Sequence, residues 1–223
     1  MKQRQSGGSD ANRRRAVIFD FDGTIADSLR AVIDVFEDLT SRGERFTDEQ
    51  IEAFREYSLP ELLRELKVPK WKVPLLLLRG RRMMHQHLHG IPVHAGMAAA
   101  LRTLHQDGIP LYVLSSNSTE NVASYLRWHK LDQYFQGAYG GASLLGKAPR
   151  LLKLIDQEQI DVTRSWYVGD ETRDVSAARS VGLHVASVTW GYNTRAALLR
   201  KGPDALVETA DELRTKLETV WKK

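Results

Sequence analysis

Residues 16–24 read Ala16-Val17-Ile18-Phe19-Asp20-Phe21-Asp22-Gly23-Thr24, a continuous apolar run that stops on a pair of aspartates and a glycine. An unbroken run of branched and aromatic residues, with no polar alternation, is what a strand covered on both faces requires. Where such a strand ends, Asp20 and Asp22 flank Phe21, so an extended exit lets both carboxylates approach one mouth while Gly23 permits a sharp turn.

Three further segments have the same form. Residues 110–114 run into Ser115-Ser116-Asn117, residues 165–168 into Gly169-Asp170, and residues 184–188 into Thr189-Trp190-Gly191. Helical periods fall between them at 97–106, 119–129, 148–157 and 173–181, and the chain closes on another at 211–222. Strands alternating with helices predict an α/β fold, a doubly wound parallel sheet with helices on both faces. Ligands of such sheets collect outside the carboxyl ends of the strands, where helix N-termini also point their free amides. The polar residues of this chain gather at those predicted ends.

The alternation breaks between residues 28 and 94. Leu29, Val32, Ile33, Phe36 and Leu39 recur at helical spacing, and Thr47-Asp48-Glu49-Gln50 has the form of a capping box. Residues 60–66 and 73–89 read as two more helices, with Pro74 tolerable only in a first turn. The expected organisation is therefore a tail at 1–15, a core at 16–27 plus 95–223, and a small all-helical cap domain at 28–94.

Composition limits the function. With 223 residues, 42% hydrophobic and 27% charged, the chain has enough material for one core plus an insert, and no apolar run approaches the ~18 residues of a membrane span. Cysteine is absent, which excludes disulfides, thiolate metal sites and a cysteine nucleophile, and fits a cytoplasmic setting. A pI near 9.3 suggests a basic nucleic-acid face. Yet residues 1–15 hold Lys2, Arg4, Arg13, Arg14 and Arg15 against Asp10, and that net +4 equals the charge of the whole chain. The body is neutral, so neither nucleic acid nor a membrane is expected as partner.

Asp170, Glu171 and Asp174 bring a second acidic group to the end of another predicted strand. Like charges meeting Asp20 and Asp22 in a small volume raise carboxylate pKa values unless a cation compensates. Mg²⁺ suits this chemistry, because it prefers oxygen ligands and commonly pairs one or two carboxylates with phosphate oxygens. Ser115 and Ser116 offer a hydroxyl and amides to such oxygens, and Lys147 a compact positive charge.

The stretch from Val17 to Ser28 resembles the first motif of the haloacid dehalogenase superfamily, residues 111–115 the second, Lys147 the third, and Gly169-Asp170-Glu171-Thr172-Arg173-Asp174 the fourth. A helical insert directly after the first motif is similar to the phosphoglycolate-phosphatase-like branch. The resemblance implies catalytic roles for Asp20, Asp22, Ser115 and Lys147: Asp20 attacks phosphorus, and Asp22 protonates the leaving oxygen and later deprotonates water. It implies Mg²⁺ at Asp20, Asp22, Asp170 and Asp174, with Asp174 behind the first ligands, and substrate binding by Gly23, Thr24, Ser116 and Asn117. The expected activity is hydrolysis of a small phosphorylated metabolite, phosphoglycolate being the family's suggestion.

Alternatives using the same aspartate are a phosphotransferase or a sugar-phosphate mutase, although mutase relatives carry a histidine in the first cap helix and residues 28–42 have none. A catalytically inactive binding protein is disfavoured by the intact motifs. His85, His87 and His89 read as a helix face rather than a zinc site, since only His85 and His89 share a face. Arg79, Arg81 and Arg82 read as a charged surface, and Trp71, Trp128, Trp166 and Trp190 as packing, with Trp190 near enough to a strand end to line the site.

Overall fold

The computed structural model describes residues 13–40, 45–75, 78–79, 82, 88–141 and 146–222. Six parallel strands form one sheet: β1 (Val17–Phe19), β2 (Leu111–Leu114), β3 (Gly137–Tyr139), β4 (Trp166–Gly169), β5 (His184–Val188) and β6 (Ala205–Val207), in the order β3-β2-β1-β4-β5-β6. The decisive apolar run is the central strand. Its neighbours were both expected, and the register pairs Phe19 with Val113 on one side and Val168 on the other. The chain therefore leaves β1, β2 and β4 at one level, which brings Asp20, Ser115 and Asp170 to a common edge.

Alternate residues of these strands feed two separate cores, as strands buried on both faces must. Val17, Phe19, Val113 and Val168 pack with Leu101, Leu104, Leu213 and Leu217 from helices Met97–Gln106 and Ala210–Trp221. Ile18, Tyr112, Leu114 and Tyr167 pack with Leu151, Leu154 and Val175 from helices Ala148–Gln157 and Thr172–Ser180. The doubly wound α/β class is thus observed.

Two strands and one helix were not anticipated. β3 and β6 are three residues each and stand at the sheet edges, too short to carry a period. Helix Arg195–Lys201 is defined by its ends: the Thr194 hydroxyl accepts the Ala197 amide at 3.1 Å, and Gly202 closes it at φ 63°. The residues expected to open two strands, Pro110 and Ser165, instead precede them.

Between residues 28 and 94 the described residues contain helices Leu29–Thr40, Asp48–Phe54 and Leu59–Glu65, the 3-10 turn Lys70–Lys72, and no strand. Thr47 and Gln50 form the expected capping box, and Ser58 with Glu61 a second one. Of the helix expected at 73–89, residues 73–75, 78–79 and 82 are helical and Leu88–Gly90 is a 3-10 turn, while residues 76–77, 80–81 and 83–87 lie outside the described set. The two connections of this segment run side by side: Asp27 N donates to Pro92 O at 3.0 Å, and His94 N to Ile25 O at 2.8 Å.

Candidate active site

β1 delivers Asp20 into the interior, where it is 2% exposed, and its backbone N–H remains bound to Val168 O at 2.8 Å. The side chain is fixed from both oxygens. Oδ1 accepts the Phe21 amide at 2.8 Å, and Oδ2 is paired with Lys147 Nζ. Lys147, just before helix Ala148–Gln157, is itself 1% exposed, and its ammonium also lies 2.7 Å from Asp174 Oδ1 and 3.3 Å from the Tyr167 hydroxyl. Burial opposes the charge on Lys147, but Asp174 and Asp20 outweigh it and hold the ammonium pKa well above its ordinary value. A buried lysine with two carboxylate partners stays a cation.

Asp174 completes a capping box at helix Thr172–Ser180, its Oδ2 accepting the Glu171 amide at 3.0 Å. This places Glu171 beside it, and oxygens of Asp20, Glu171 and Asp174 lie within 4.8 Å of one another. Asp170 is held by both of its oxygens. Its Oδ1 accepts the Thr24 hydroxyl at 2.7 Å and its Oδ2 the Tyr192 amide at 2.7 Å. A side chain at either Gly23 or Gly191 would collide with the Asp170 carboxylate, and Gly23 also sits at φ +78°, so both positions require glycine.

Ser115 and Asn117 form the third wall. Ser115 is fully buried, its Oγ accepting the Asn117 amide at 2.9 Å, and Asn117 Nδ2 lies 3.5 Å from Asp22 Oδ2. Asn117 Oδ1 also receives the Ser118 amide and the Asn121 side-chain amide, each at 2.9 Å. Ser116 is 9% exposed on the same turn. Asp22 Oδ1 is buried with no hydrogen-bond partner, an open acceptor.

The charges are unbalanced. Asp20, Asp22, Asp170, Glu171 and Asp174 are five carboxyls, facing Lys147 and Arg173, whose guanidinium is tied to Glu171. Burial first, and then the neighbouring acids against the pull of Lys147, raises the Asp20 carboxyl above its usual range. Burial raises Asp22 to about 6, against Lys147 and the Asn117 hydrogen bond. Asp170 is raised by burial and then by Asp20, Glu171 and Asp174. Anionic oxygens held this close without enough positive charge, together with the orphaned Asp22 oxygen, are a donor set that fits a hard divalent cation.

The structure brings Asp20, Lys147 and Asp174 together, as the sequence reading placed them, and sets Asn117 beside Ser115 and Asp22. That reading did not identify Glu171 as the third converging carboxyl, nor Tyr167, Tyr192 and Asn193 as the groups that hold Lys147 and the 170–174 turn. Thr24, expected against substrate, is fully buried and uses its hydroxyl on Asp170. Trp190 donates Nε1 to Thr24 O at 3.2 Å and stacks on His94 at 4.6 Å, so it packs as expected. Trp71 and Trp128 are instead largely exposed, at 73% and 57%, and the Lys72 ammonium lies over the Trp71 ring at 5.4 Å. Arg79 and Arg82 are exposed, whereas Arg81, His85 and His87 lie outside the described residues.

The family model for haloacid dehalogenase-like hydrolases matches residues 17–188. A phosphoglycolate phosphatase from Synechococcus elongatus is 36% identical over 201 residues, 89% of this chain and 95% of that protein. Among solved structures, a predicted phosphatase from Clostridium acetobutylicum superposes with a TM-score of 0.78 at 22% identity, over 93% of this chain and 100% of that one. A family hydrolase from Deinococcus radiodurans, with bound phosphate and sodium, gives 0.69 at 22% identity over 92% and 96%. The motifs quoted from the sequence, the parallel sheet that gathers them and these matches agree: the chain belongs to the haloacid dehalogenase-like hydrolase family.

Proposed function

We propose that this hydrolase is a Mg²⁺-dependent phosphatase that releases phosphate from a small phosphomonoester through an aspartyl-phosphate on Asp20. The observation that carries the reading is the placement of Lys147 between Asp20 and Asp174, together with a buried oxygen of Asp22 that has no hydrogen-bond partner. Asp20 and the acidic turn of Asp170, Glu171 and Asp174, with Asp22 beside them, would hold Mg²⁺. When bound, the ion would supply positive charge that keeps Asp20 ionised and would act as a Lewis acid toward the phosphoryl group.

An Asp20 carboxylate oxygen attacks phosphorus, a P–O(Asp20) bond forms, and the ester P–O bond breaks with its electron pair on the leaving oxygen. Asp22 donates its proton there, and burial, which raises its carboxyl to about 6, favours the protonated form that this step needs. In the second step the Asp22 carboxylate accepts a proton from water as its oxygen attacks phosphorus. The P–O(Asp20) bond then breaks, giving inorganic phosphate and the original Asp20. Lys147, the Ser115 hydroxyl and the Ser116 amide would face the phosphoryl oxygens, where negative charge is spread.

The 36% identical phosphoglycolate phosphatase, matched over nearly its whole length, makes phosphoglycolate the first substrate to test. Residues 28–94 act as a helical cap over a core of 16–27 plus 95–223, in a cytoplasmic protein. No described helix is long and apolar enough to cross a membrane. The test is phosphate release from a panel of phosphorylated metabolites, with Mg²⁺ and with a chelator. Turnover that needs Mg²⁺, is lost in Asp20→Asn, and yields an acid-trapped phosphate on the Asp20 peptide supports the reading. Undiminished turnover by Asp20→Asn removes it, and transfer of phosphate to added sugars in place of water converts it to the phosphotransferase alternative.

A further inference from the structure

We propose that Asn193 is a positioning residue whose one side-chain amide sets the acidic 170–174 turn and the turn at 55–57 together; as a statement about catalysis this rests on the phosphatase reading. Asn193 follows β5, is 3% exposed, and satisfies its amide from two directions. Its Oδ1 accepts the backbone N–H of Thr172, the first residue of helix Thr172–Ser180, at 2.8 Å. Its Nδ2 donates to Arg55 O at 2.8 Å and to Tyr57 O at 2.9 Å, in the turn that ends helix Asp48–Phe54.

The backbone around Asn193 reinforces both attachments. On the catalytic side Tyr192 N donates to Asp170 Oδ2 at 2.7 Å and Asn193 N to Asp170 O at 3.3 Å. On the other side Thr194 N donates to Arg55 O at 3.1 Å, the Thr194 hydroxyl contacts Glu56, and Arg200 pairs with the same carboxylate at 2.6 Å. The Arg55 guanidinium reaches back to Thr189 O and Gly191 O at 3.1 and 3.0 Å. Many groups join the segment to the core. Asn193 alone among the described residues has a side chain that hydrogen-bonds both to residues 55–57 and to the start of the helix bearing Asp174.

The chemistry of the position is narrow. It needs one acceptor aimed at an amide and two N–H donors aimed at two carbonyls, which among side chains of this length only asparagine supplies. An aspartate keeps the acceptor and loses both donors, placing anionic oxygen against two carbonyls. An alanine loses everything. A buried amide lost in this way takes their bond from the Thr172 N–H and the Tyr57 carbonyl and leaves Arg55 O with Thr194 N alone, so both attachments should loosen.

The experiment is hydrogen exchange by mass spectrometry on the full chain, with p-nitrophenyl phosphate turnover measured in parallel on the same preparations. Asn193→Ala is expected to speed exchange about tenfold at both 53–57 and 170–174 while β1 and β2 keep native rates. Asn193→Asp is expected to release 53–57 and to leave 170–174 protected, because its carboxylate still accepts the Thr172 amide. Arg200→Ala, which cuts only the outer Glu56 contact, is expected to loosen 53–57 alone. Turnover should follow the 170–174 segment: kcat falls about tenfold in Asn193→Ala and less in Asn193→Asp, with KM raised in both.

A uniform rise in exchange across the sheet, or release of only one segment in Asn193→Ala, overturns the proposal. So does kcat at the native value in Asn193→Ala. If the native chain hydrolyses no phosphate ester, the phosphatase reading fails by itself, and the exchange pattern still decides whether Asn193 couples the two segments.

Discussion

The Thr24 hydroxyl lies 2.7 Å from Oδ1 of Asp170, joining the loop after β1 to the loop after β4 across 146 residues of sequence. Asp170 is fully buried, so this donor sets its orientation and offsets part of its desolvation. Thr24→Val keeps the shape and removes the donor. We expect a loss of about 1–3 kcal/mol in denaturant unfolding and about a tenfold fall in apparent Mg²⁺ affinity. The pair is read by urea titration and by the Mg²⁺ concentration that half-activates turnover. An unchanged metal requirement would show that Asp170 is held well enough by Tyr192 alone.

Much of this arrangement was legible before any coordinates. The run Val17-Ile18-Phe19 could only be a strand covered on both faces, and the polar residues at the predicted strand ends placed Asp20, Ser115 and Asp170 on one edge. What stayed hidden depends on direction and distance. Glu171 stands next to Asp170 in sequence, but only the capping geometry at Asp174 shows that Glu171 also converges with Asp20. Tyr167 looks like one more apolar strand residue until its hydroxyl is found beside Lys147, and Asn193 looks like a turn residue until its two carbonyl partners appear.

Lys147→Met tests the ion pairs directly. The substitution preserves most of the volume but leaves Asp20 and Asp174 without their shared cation in a site where Asp20 and Lys147 are 2% and 1% exposed. Removing one partner of a buried pair costs about 3–5 kcal/mol. We expect that loss in metal-free urea unfolding, smaller with saturating Mg²⁺, and kcat reduced on the order of 10²-fold. Equal destabilisation with and without the ion would separate the lysine from the metal site.

Glu158 offers a control far from catalysis. Its two carboxylate oxygens accept the hydroxyls of Tyr139 at 2.6 Å and Tyr112 at 2.9 Å, which lowers the carboxyl pKa and, with burial the larger cause, raises both phenols to about 12. A depressed carboxyl contributes stability above its ordinary value of 4.5 that is lost as pH falls through the folded pKa. Glu158→Leu should therefore cost about 1–3 kcal/mol at neutral pH and progressively less in acid, with kcat and KM native. Altered kinetics would mean that this cluster communicates with the site.

Asp22 has the opposite sign, and that makes it the sharper pH probe. Its folded carboxyl is raised from 3.8 to about 6, chiefly by burial. Between those values the folded protein binds a proton that the unfolded chain has released, so the contribution of Asp22 to stability is full below the lower value and is lost as pH rises through the upper one. Asp22→Asn carries a neutral amide at every pH. In chelator, its stability relative to the native chain should rise from about pH 4 to about pH 7 and then level off. Saturating Mg²⁺ should shrink that difference, because a bound cation favours the ionised carboxyl. Urea unfolding of both proteins across the range decides it, and a pH-independent difference would show that burial does not govern this carboxyl.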